Sequence, residues 1–484
     1  MQKIELIKLL QKILPADSIL YEQEDLKPFE CDGLSAYREM PLAVLLPETE
    51  QQVREILLLC RREQVPVVAR GAGTGLSGGA LPLAHGVLLS LSKFKRILSL
   101  DPLARIARVQ PGVRNLAISE AAAAHGLYYA PDPSSQIACS IGGNVAENAG
   151  GVHCLKYGLT VHNLLKVRAC TMDGDILEIG CEALDSPGYD LLALFTGSEG
   201  MLGVITEVTV KLLPKPELAR VVMAAFATVA EAGNAVGEII AAGIIPAGLE
   251  MMDKLSIKAA EDFIHAGYPL DAEAILLCES DGTTEEVAEE IANMQAILTR
   301  CGATSLRTSA NETDRLRLWA GRKAAFPAVG RLSPDYYCMD GTIPRRELSH
   351  VLKRIDELSK EFGLRVANVF HAGDGNLHPL ILYDANQPGE FHRAEELGGK
   401  ILELCVEVGG TITGEHGVGI EKINQMCAQF KESELQRFRE VKQAFDPSGL
   451  LNPGKVIPTL QRCAEHGRMH VHHGQVAFSE LPRF

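Results

Sequence analysis

Residues 65–80 read VPVVARGAGTGLSGGA, an apolar strand that runs directly into a glycine-rich loop. Three glycines of this loop match the G-x-G-x-x-G spacing of dinucleotide-binding turns: Gly73, Gly75 and Gly78. Such a turn also needs a helix that begins at the loop and an acidic residue about 20 residues further on. Here Pro82 and Gly86 follow, and the next regular run is the strand VLLSL at 87–91. The sequence therefore disfavours the classical nicotinamide-binding turn.

The loop still offers successive backbone N–H groups that no side chain obstructs, and such a run can wrap a pyrophosphate without a helix. A second segment of small residues, PDPSSQIACSIGGNVAENAGG at 131–151, allows the backbone to approach a flat ring system closely. The alternative is an ordinary surface turn. However, five glycines among the nine residues 71–79 exceed what one turn requires.

Length, charge and cysteine spacing limit the classes of protein that fit. A chain of 484 residues is too long for one ordinary core, which predicts at least two domains. The net charge of -15 argues against nucleic acid and anionic membrane surfaces as partners. No apolar run approaches the roughly 20 residues of a membrane-spanning helix, and none of the 12 cysteines forms a C-x-x-C pair. We expect a cytoplasmic protein without an iron–sulfur cluster of its own.

Two glycine-framed clusters late in the chain carry histidine and glutamate. HAGDGNLH at 371–378 places His371 and His378 on a tight loop, where both imidazoles can converge. TGEHGVG at 413–419 places Glu415 beside His416, and neighbours in an extended chain point to opposite sides. We therefore expect different roles for these two residues.

The set His371, His378 and Glu415 suits zinc, iron or manganese, while His416 is left free to act as a general base. Two alternatives stay open from the residues alone. A metal-dependent hydrolase could use the same three ligands to activate water, and some of these histidines could merely hydrogen-bond a loop.

The two small-residue segments, together with FTGSEGMLGVITEVTVKLLPKP at 195–216, resemble the FAD-binding domain of the vanillyl-alcohol-oxidase-type flavoproteins. The resemblance implies bound FAD. No His or Cys lies between Arg70 and Ala80, so we expect the flavin to be non-covalent. The resemblance implies these contacts with FAD: Arg70, Gly71, Ala72, Gly73, Thr74, Gly75, Leu76, Ser77, Gly78, Pro131, Ser134, Gly142, Gly143, Asn144, Glu147, Asn148, Gly150, Glu199, Gly203, Val204, Ile205 and Asn452.

HAGDGNLH, GEHGVG and FDPSGLLNPGK at 445–455 are similar to the D-2-hydroxy-acid dehydrogenase branch of these flavoproteins. There the matching His, His and Glu bind one divalent metal, and the next His is the base. The first arginine after the tryptophan in RLWAGRKAAF holds the substrate carboxylate, which implies Arg322, with Lys323 as a weaker partner. A small monocarboxylate such as glycolate or D-lactate is the favoured substrate.

The resemblance implies a fold of mixed helices and strands, α+β or α/β, in three parts. Residues 1–217 form a two-part FAD-binding domain with an N-terminal helical segment, and residues 218–435 form an α/β substrate domain that carries the metal and catalytic loops. Residues 436–484 return to the flavin.

The resemblance further implies a second flavin-domain subunit and an iron–sulfur subunit that receive the electrons. Any contact with the inner face of the membrane is then made through these partners. Two other roles remain open: a D-2-hydroxy-acid dehydrogenase that acts alone, and a non-catalytic assembly subunit that binds FAD.

Overall fold

A computed structural model describes residues 3–183 and 188–458 of the chain. The end of the predicted third part, residues 459–484, lies outside this range. The first region, residues 3–217, contains these strands: β1 (Ile19–Leu20), β2 (Ala43–Leu45), β3 (Val67–Arg70), β4 (Val87–Ser90), β5 (Ile97–Asp101), β6 (Ile106–Val109), β7 (Leu127–Tyr128), β8 (Leu164–Cys170), β9 (Ile176–Gly180), β10 (Val204–Lys211) and β11 (Leu213–Pro214). Its helices are α1 (Lys3–Leu10), α2 (Gln23–Leu26), α3 (Glu50–Arg62), α4 (Asn115–Ala122), α5 (Ile141–Glu147), α6 (Cys154–Tyr157) and α7 (Leu191–Phe195).

Two main sheets organise the first region. One has the order β1-β2-β4-β3, with β4 parallel to both β2 and β3, and the other has the antiparallel order β5-β6-β10-β8-β9. Every residue of β2 and β4 is buried, which matches the uninterrupted apolar runs in the sequence. The glycine loop leaves the end of β3 and leads to β4 without an intervening helix. The prediction that this loop is not a classical dinucleotide turn is confirmed.

Helix α3 packs its apolar stripe against the first sheet. Its start is fixed by a capping box, in which the Thr49 hydroxyl accepts from the Gln52 N–H and the Gln52 side chain accepts from the Thr49 N–H. Val53, Ile56 and Cys60 are fully buried, as their helical spacing predicts.

The second region, residues 218–435, contains these strands: β12 (Leu218–Phe226), β13 (Gly248–Asp253), β14 (Ala274–Gly282), β15 (Ser305–Thr308), β16 (Asp335–Cys338), β17 (Gly341–Thr342), β18 (Val366–Phe370), β19 (Asn376–Leu377) and β20 (Pro379–Tyr383). Helices α8 (Val229–Ala241), α9 (Lys254–Ile264), α10 (Thr284–Arg300), α11 (Glu312–Val329), α12 (Leu348–Phe362), α13 (Glu390–Glu407) and α14 (Met426–Gln429) alternate with them, and α15 (Glu432–Phe445) follows. No helix in the described ranges has both the length and the apolar character needed to cross a membrane.

The main sheet of this region has the order β15-β12-β14-β13-β18-β20-β16 and pairs antiparallel at every step. The sequence left α+β and α/β open as fold classes, and this antiparallel sheet belongs to the α+β class. Alternate residues of β12 enter two different hydrophobic cores: Val222 and Phe226 face one, whereas Val221 and Met223 face the other. Because side chains of a strand alternate between faces, this sheet is covered by helices on both sides.

The chain returns to the first region after α15. The backbone of Leu450 and Asn452 hydrogen-bonds the backbone of Val67, next to the start of the glycine loop. Asn452 is buried, and its side-chain amide donates to the carbonyl oxygens of Gly79 at 2.9 Å and Glu199 at 2.7 Å. This asparagine therefore ties the end of the glycine loop to the segment around Glu199.

We expect Asn452→Ala to destabilise the protein, because it leaves the Gly79 and Glu199 carbonyl groups buried without a donor. Each unpaired group costs about 1–3 kcal/mol. The measurement is the free energy of unfolding in urea. Asn386→Ala, on an exposed turn, is the control and should change it by less than about 0.5 kcal/mol. Equal free energies of unfolding for the two variants would contradict a stabilising role of the Asn452 hydrogen bonds.

Candidate functional site

A cavity of about 490 Å³ lies between the two regions. This volume falls within the range of about 300–1,000 Å³ typical of cofactor and ligand sites. The first region contributes these predicted flavin contacts to its wall: Arg70, Gly71, Ala72, Gly73, Thr74, Gly75, Leu76, Ser134, Gly142, Gly143, Asn144, Glu147, Glu199, Gly203 and Ile205. The second region contributes Lys323, Phe326, Pro327, His378, Glu415 and His416.

The other predicted flavin contacts do not line this cavity: Ser77, Gly78, Pro131, Asn148, Gly150, Val204 and Asn452. Several of them support its wall from behind. The Ser77 carbonyl accepts from the backbone N–H groups of Ile420 and Glu421 at 3.0 and 3.1 Å. Val204 is fully buried in the core behind the first sheet. Direct contact of these residues with FAD stays a prediction.

The glycine loop is closely packed against its surroundings. Gly73 has φ +73°, in the left-handed region that favours glycine, and a Cβ there would overlap the Arg70 guanidinium. A Cβ at Gly71 would overlap the Ser140 hydroxyl, which caps the start of α5. The bare backbone of this loop therefore forms a wall that a bound pyrophosphate can approach closely.

Glu199 connects this wall to the loop of residues 413–420, which we call the Glu-His loop. Its carboxylate accepts from the N–H groups of Val418 at 2.6 Å and Gly419 at 2.7 Å. Burial raises the pKa of Glu199, and burial together with neighbouring Glu199 raises the pKa of Glu147 well above its usual value. The Glu-His loop is thus held against the predicted flavin site by a buried carboxyl group.

Three predicted metal ligands meet at one point. Glu415 Oε1 lies 3.2 Å from His371 Nε2 and 3.2 Å from His378 Nε2. Tetrahedral zinc with ligand bonds of about 2.0 Å separates neighbouring ligands by about 3.3 Å, so this spacing fits a zinc-sized ion. Both ring nitrogens of buried His378 lack an aligned hydrogen-bond partner among the described residues. That unsatisfied imidazole supports the assignment of these residues as a metal site.

A second possible ligand group shares His378 and adds Asp340 and His416. Asp340 is poorly suited to metal binding because its oxygens are already occupied by donors. It accepts from the N–H groups of Glu415 and His416 and from the Lys422 ammonium, at 2.9–3.3 Å. We therefore assign Asp340 to holding the Glu-His loop and not to the metal.

His416 faces the cavity beside the metal group. Its ring stacks on that of His378 at a centroid distance of 4.8 Å, and its buried Nδ1 has no hydrogen-bond partner among the described residues. Burial lowers the pKa of His416 to about 4, although the negative charge of Asp340 opposes the shift. The imidazole is therefore neutral at pH 7 and able to accept a proton.

The expectation that Glu415 and His416 point to opposite sides is wrong. Both line the same cavity, with His416 Nε2 3.9 Å from Glu415 Oε1. The alternation rule applies to extended strands, and this loop is instead a bend between glycines.

Arg322, the predicted residue for the substrate carboxylate, does not line this cavity. It is 1% exposed, and its Nε donates to Glu250 Oε2 at 2.7 Å. Its Nη2 has no partner among the described residues, so part of the guanidinium is unsatisfied. Lys323 lines the cavity. The role of Arg322 stays a prediction.

Sequence reasoning missed several residues of the site, namely Asp32, Glu250, Phe326 and Asp340. Asp32 and Phe326 line the cavity, and the Phe326 ring meets the His378 ring edge-on at 6.2 Å. Glu250 had a detectable signal, because it is an acidic residue inside the otherwise apolar strand GLEMM. Asp340 had none, since no motif or spacing connects it to the Glu-His loop.

Comparison with known families identifies the chain. Residues 41–180 match the family model described as FAD binding domain, and residues 215–456 match that of FAD linked oxidases, C-terminal domain. The chain belongs to the FAD-linked oxidase family. It is an FAD-linked oxidoreductase with an FAD-binding domain, as its sequence motifs predict.

Several relatives with a known name match most of the chain. The FAD-linked oxidase is 70% identical over 475 residues to glycolate oxidase subunit GlcD of Escherichia coli strain K12, covering 98% of this chain and 95% of that one. It is 39% identical to GlcD of Bacillus subtilis, with 89% and 92% covered. It is 34% identical to D-lactate dehydrogenase of Archaeoglobus fulgidus, with 94% and 99% covered.

Solved structures confirm the fold class. The FAD-linked oxidase superimposes on p-cresol methylhydroxylase with a TM-score of 0.80 at 17% identity, covering 93% of this chain and 96% of that chain. It superimposes on 4-ethylphenol oxidase from Gulosibacter chungangensis with a TM-score of 0.78 at 17% identity, covering 95% and 98%. At this identity the likeness concerns the fold alone.

We expect Gly73→Ala to weaken FAD binding at least tenfold. A side chain at φ +73° costs about 1–2 kcal/mol, and the added methyl group displaces the Arg70 guanidinium. The measurement is the dissociation constant of FAD, from flavin fluorescence during titration of the stripped protein. Gly237→Ala is the control, because a Cβ there meets nothing within 4 Å. An unchanged constant in Gly73→Ala would contradict a close approach of FAD to this loop.

Proposed function

We propose that this FAD-linked oxidase oxidises a small 2-hydroxy acid, converting glycolate to glyoxylate and D-lactate to pyruvate. The observation that carries the proposal is a single cavity, bordered by the glycine-rich wall of the FAD-binding domain and by His378, Glu415 and His416. The names of the relatives, glycolate oxidase subunit and D-lactate dehydrogenase, support this class of substrate. FAD, which accepts hydride in such oxidations, is held without a covalent bond.

His416 is the proposed base. Its neutral imidazole faces the cavity, where it takes the proton of the substrate hydroxyl group. The hydrogen on the carbon that bears this hydroxyl leaves with its electron pair as hydride, for which FAD would be the acceptor. The hydroxyl carbon is thereby oxidised to a carbonyl group. Asp340 fixes the backbone of His416 and so keeps the ring in place.

His371, His378 and Glu415 are the proposed ligands of one divalent metal: zinc, iron or manganese. A metal held by these residues would supply a positive charge that lowers the pKa of a nearby substrate hydroxyl. A hydrolase could use the same ligands, but it would leave the glycine-lined half of the cavity without a role.

The proposed contacts of the substrate carboxylate are Lys323, which lines the cavity, and Arg322, which does not line it but has an unpaired Nη2. Phe326 and Pro327 from the same helix also border the cavity beside His378. Phe326 packs edge-on against Tyr336 at 6.5 Å and therefore has little room to move back. These walls favour a small substituent on the hydroxyl-bearing carbon.

The electrons need an outlet beyond this chain. We propose that they pass to a second flavin-domain subunit and an iron–sulfur subunit of a glycolate oxidase complex. The name of the Escherichia coli relative, glycolate oxidase subunit, supports a complex of more than one subunit. Any contact with a membrane is then made through those partners.

We expect anaerobic addition of glycolate or D-lactate to bleach the visible flavin band, whereas L-lactate and NADH leave it unchanged. The order of the rates ranks the substrates. His416→Ala should retain FAD and lose at least about 100-fold in the bleaching rate, because general-base catalysis contributes about 10²–10⁴-fold. A flavin that neither acid bleaches in the native protein would favour the non-catalytic assembly role. Turnover without partner subunits would favour a dehydrogenase that acts alone.

We also expect removal of the metal by a chelator to slow bleaching while FAD stays bound. The chelated protein should regain its rate when zinc, manganese or iron is added back, which also identifies the metal. The measurements are metal content, flavin absorbance and the bleaching rate. Unchanged bleaching in protein from which all metal has been removed would contradict the metal role.

A further inference from the structure

We infer that Glu250 is a positioning residue that sets the orientation of both His371 and Arg322. Its Oε1 lies 2.7 Å from His371 Nδ1, and its Oε2 accepts from Arg322 Nε at 2.7 Å. One carboxylate therefore joins a proposed metal ligand to the proposed substrate-binding arginine. The inference rests on the proposed function and adds a residue that no sequence motif indicates.

The location of Glu250 explains why its geometry is fixed. It lies in β13 near the centre of the main sheet, where it pairs with Leu277 of β14, and it is 1% exposed. A buried carboxylate without partners is strongly destabilising, so the folded state favours the geometry that keeps both charged hydrogen bonds. Because strands are rigid, these partners are held more precisely than they would be from a loop.

For His371, the contact determines which ring nitrogen is available. A carboxylate can only accept, so Nδ1 is the donor to Glu250, and in the neutral ring Nε2, which faces Glu415 at 3.2 Å, then carries the free lone pair. A carboxylate behind a ligating histidine fixes the ring and makes it a stronger ligand, and loss of such a partner typically costs about 10–100-fold in metal affinity.

For Arg322, the same contact fixes the plane of the guanidinium group. Nε is used by Glu250, whereas the buried Nη2 remains unpaired among the described residues. Rotation of the guanidinium would break the bond to Glu250. The orientation of the free Nη2 is therefore set by the residue that also orients His371.

The chain offers a matched control on the neighbouring strand. Glu279 of β14 is also 1% exposed, and it also bridges a histidine and an arginine, His153 Nε2 at 3.1 Å and Arg315 Nη1 at 2.8 Å. Neither partner belongs to the proposed metal site. Glu279 also accepts from the indole N–H of Trp319, so Glu279→Gln disturbs a buried carboxylate with three partners without touching the proposed metal ligands.

The test compares metal affinity in FAD-bound Glu250→Gln and Glu279→Gln. A glutamine amide has one oxygen and cannot accept from both partners, so we expect Glu250→Gln to weaken zinc and manganese binding about 10–100-fold. Glu279→Gln should bind both metals like the native protein. Metal affinities are measured by competition with a chromogenic chelator. Metal binding at the proposed site is taken as the binding that is lost in His378→Ala.

A second readout concerns Arg322. At saturating metal, Glu250→Gln should still raise the KM for glycolate in flavin bleaching more than Glu279→Gln does. Glu250→Asp keeps the charge but shortens the side chain, so it should give an intermediate metal affinity. It replaces Glu250→Gln as the test if that variant does not fold with FAD bound.

Native-like metal affinity in Glu250→Gln, or an equal loss in Glu279→Gln, would overturn the inference. So would a native protein that binds no site-specific metal. The metal titration needs no substrate, so it is independent of the substrate assignment. If the native protein binds metal but oxidises no 2-hydroxy acid, the proposed function fails while the role of Glu250 towards His371 is still decided by the affinities.

Discussion

The buried carboxylate of Asp340 fixes the loop on which the proposed chemistry depends. It accepts from the N–H groups of Glu415 and His416 and from the fully buried ammonium of Lys422. A loop framed by glycines has little intrinsic preference for one conformation, and these hydrogen bonds select one. The proposed metal ligand and the proposed base are adjacent in sequence, and both line the cavity because their backbone is anchored by Asp340.

Glu199 supplies the opposing constraint from the FAD-binding domain. Its carboxylate accepts from two further N–H groups of the same loop, those of Val418 and Gly419. Consecutive parts of one loop are thus hydrogen-bonded to two domains. The distance between the glycine-rich wall and the proposed base is consequently fixed by short charged hydrogen bonds and not by domain packing alone.

The sequence predicted those parts of the site that local chemistry determines. The glycine loop, the missing helix after it, and the convergence of His371, His378 and Glu415 all followed from residue type and spacing. It did not predict Glu250 or Asp340, because each acts through contacts between distant parts of the chain. The sequence also did not predict the antiparallel pairing of the second sheet, since alternation of helices and strands favours a parallel α/β sheet. The expectation that Glu415 and His416 point to opposite sides was wrong, because side chains alternate in extended strands and this loop is a bend.

Asn452 and Gly79 are joined by a hydrogen bond although 373 positions separate them in the sequence. During synthesis, the glycine loop emerges early, but the residue that closes it emerges after almost all of the described chain. This wall of the cavity therefore gains its hydrogen bond from Asn452 only after the 373 residues that follow Gly79 have been synthesised. A chain that stops before Asn452 would lack the donor for the Gly79 and Glu199 carbonyl groups, so the glycine loop depends on a residue of the segment that returns to it.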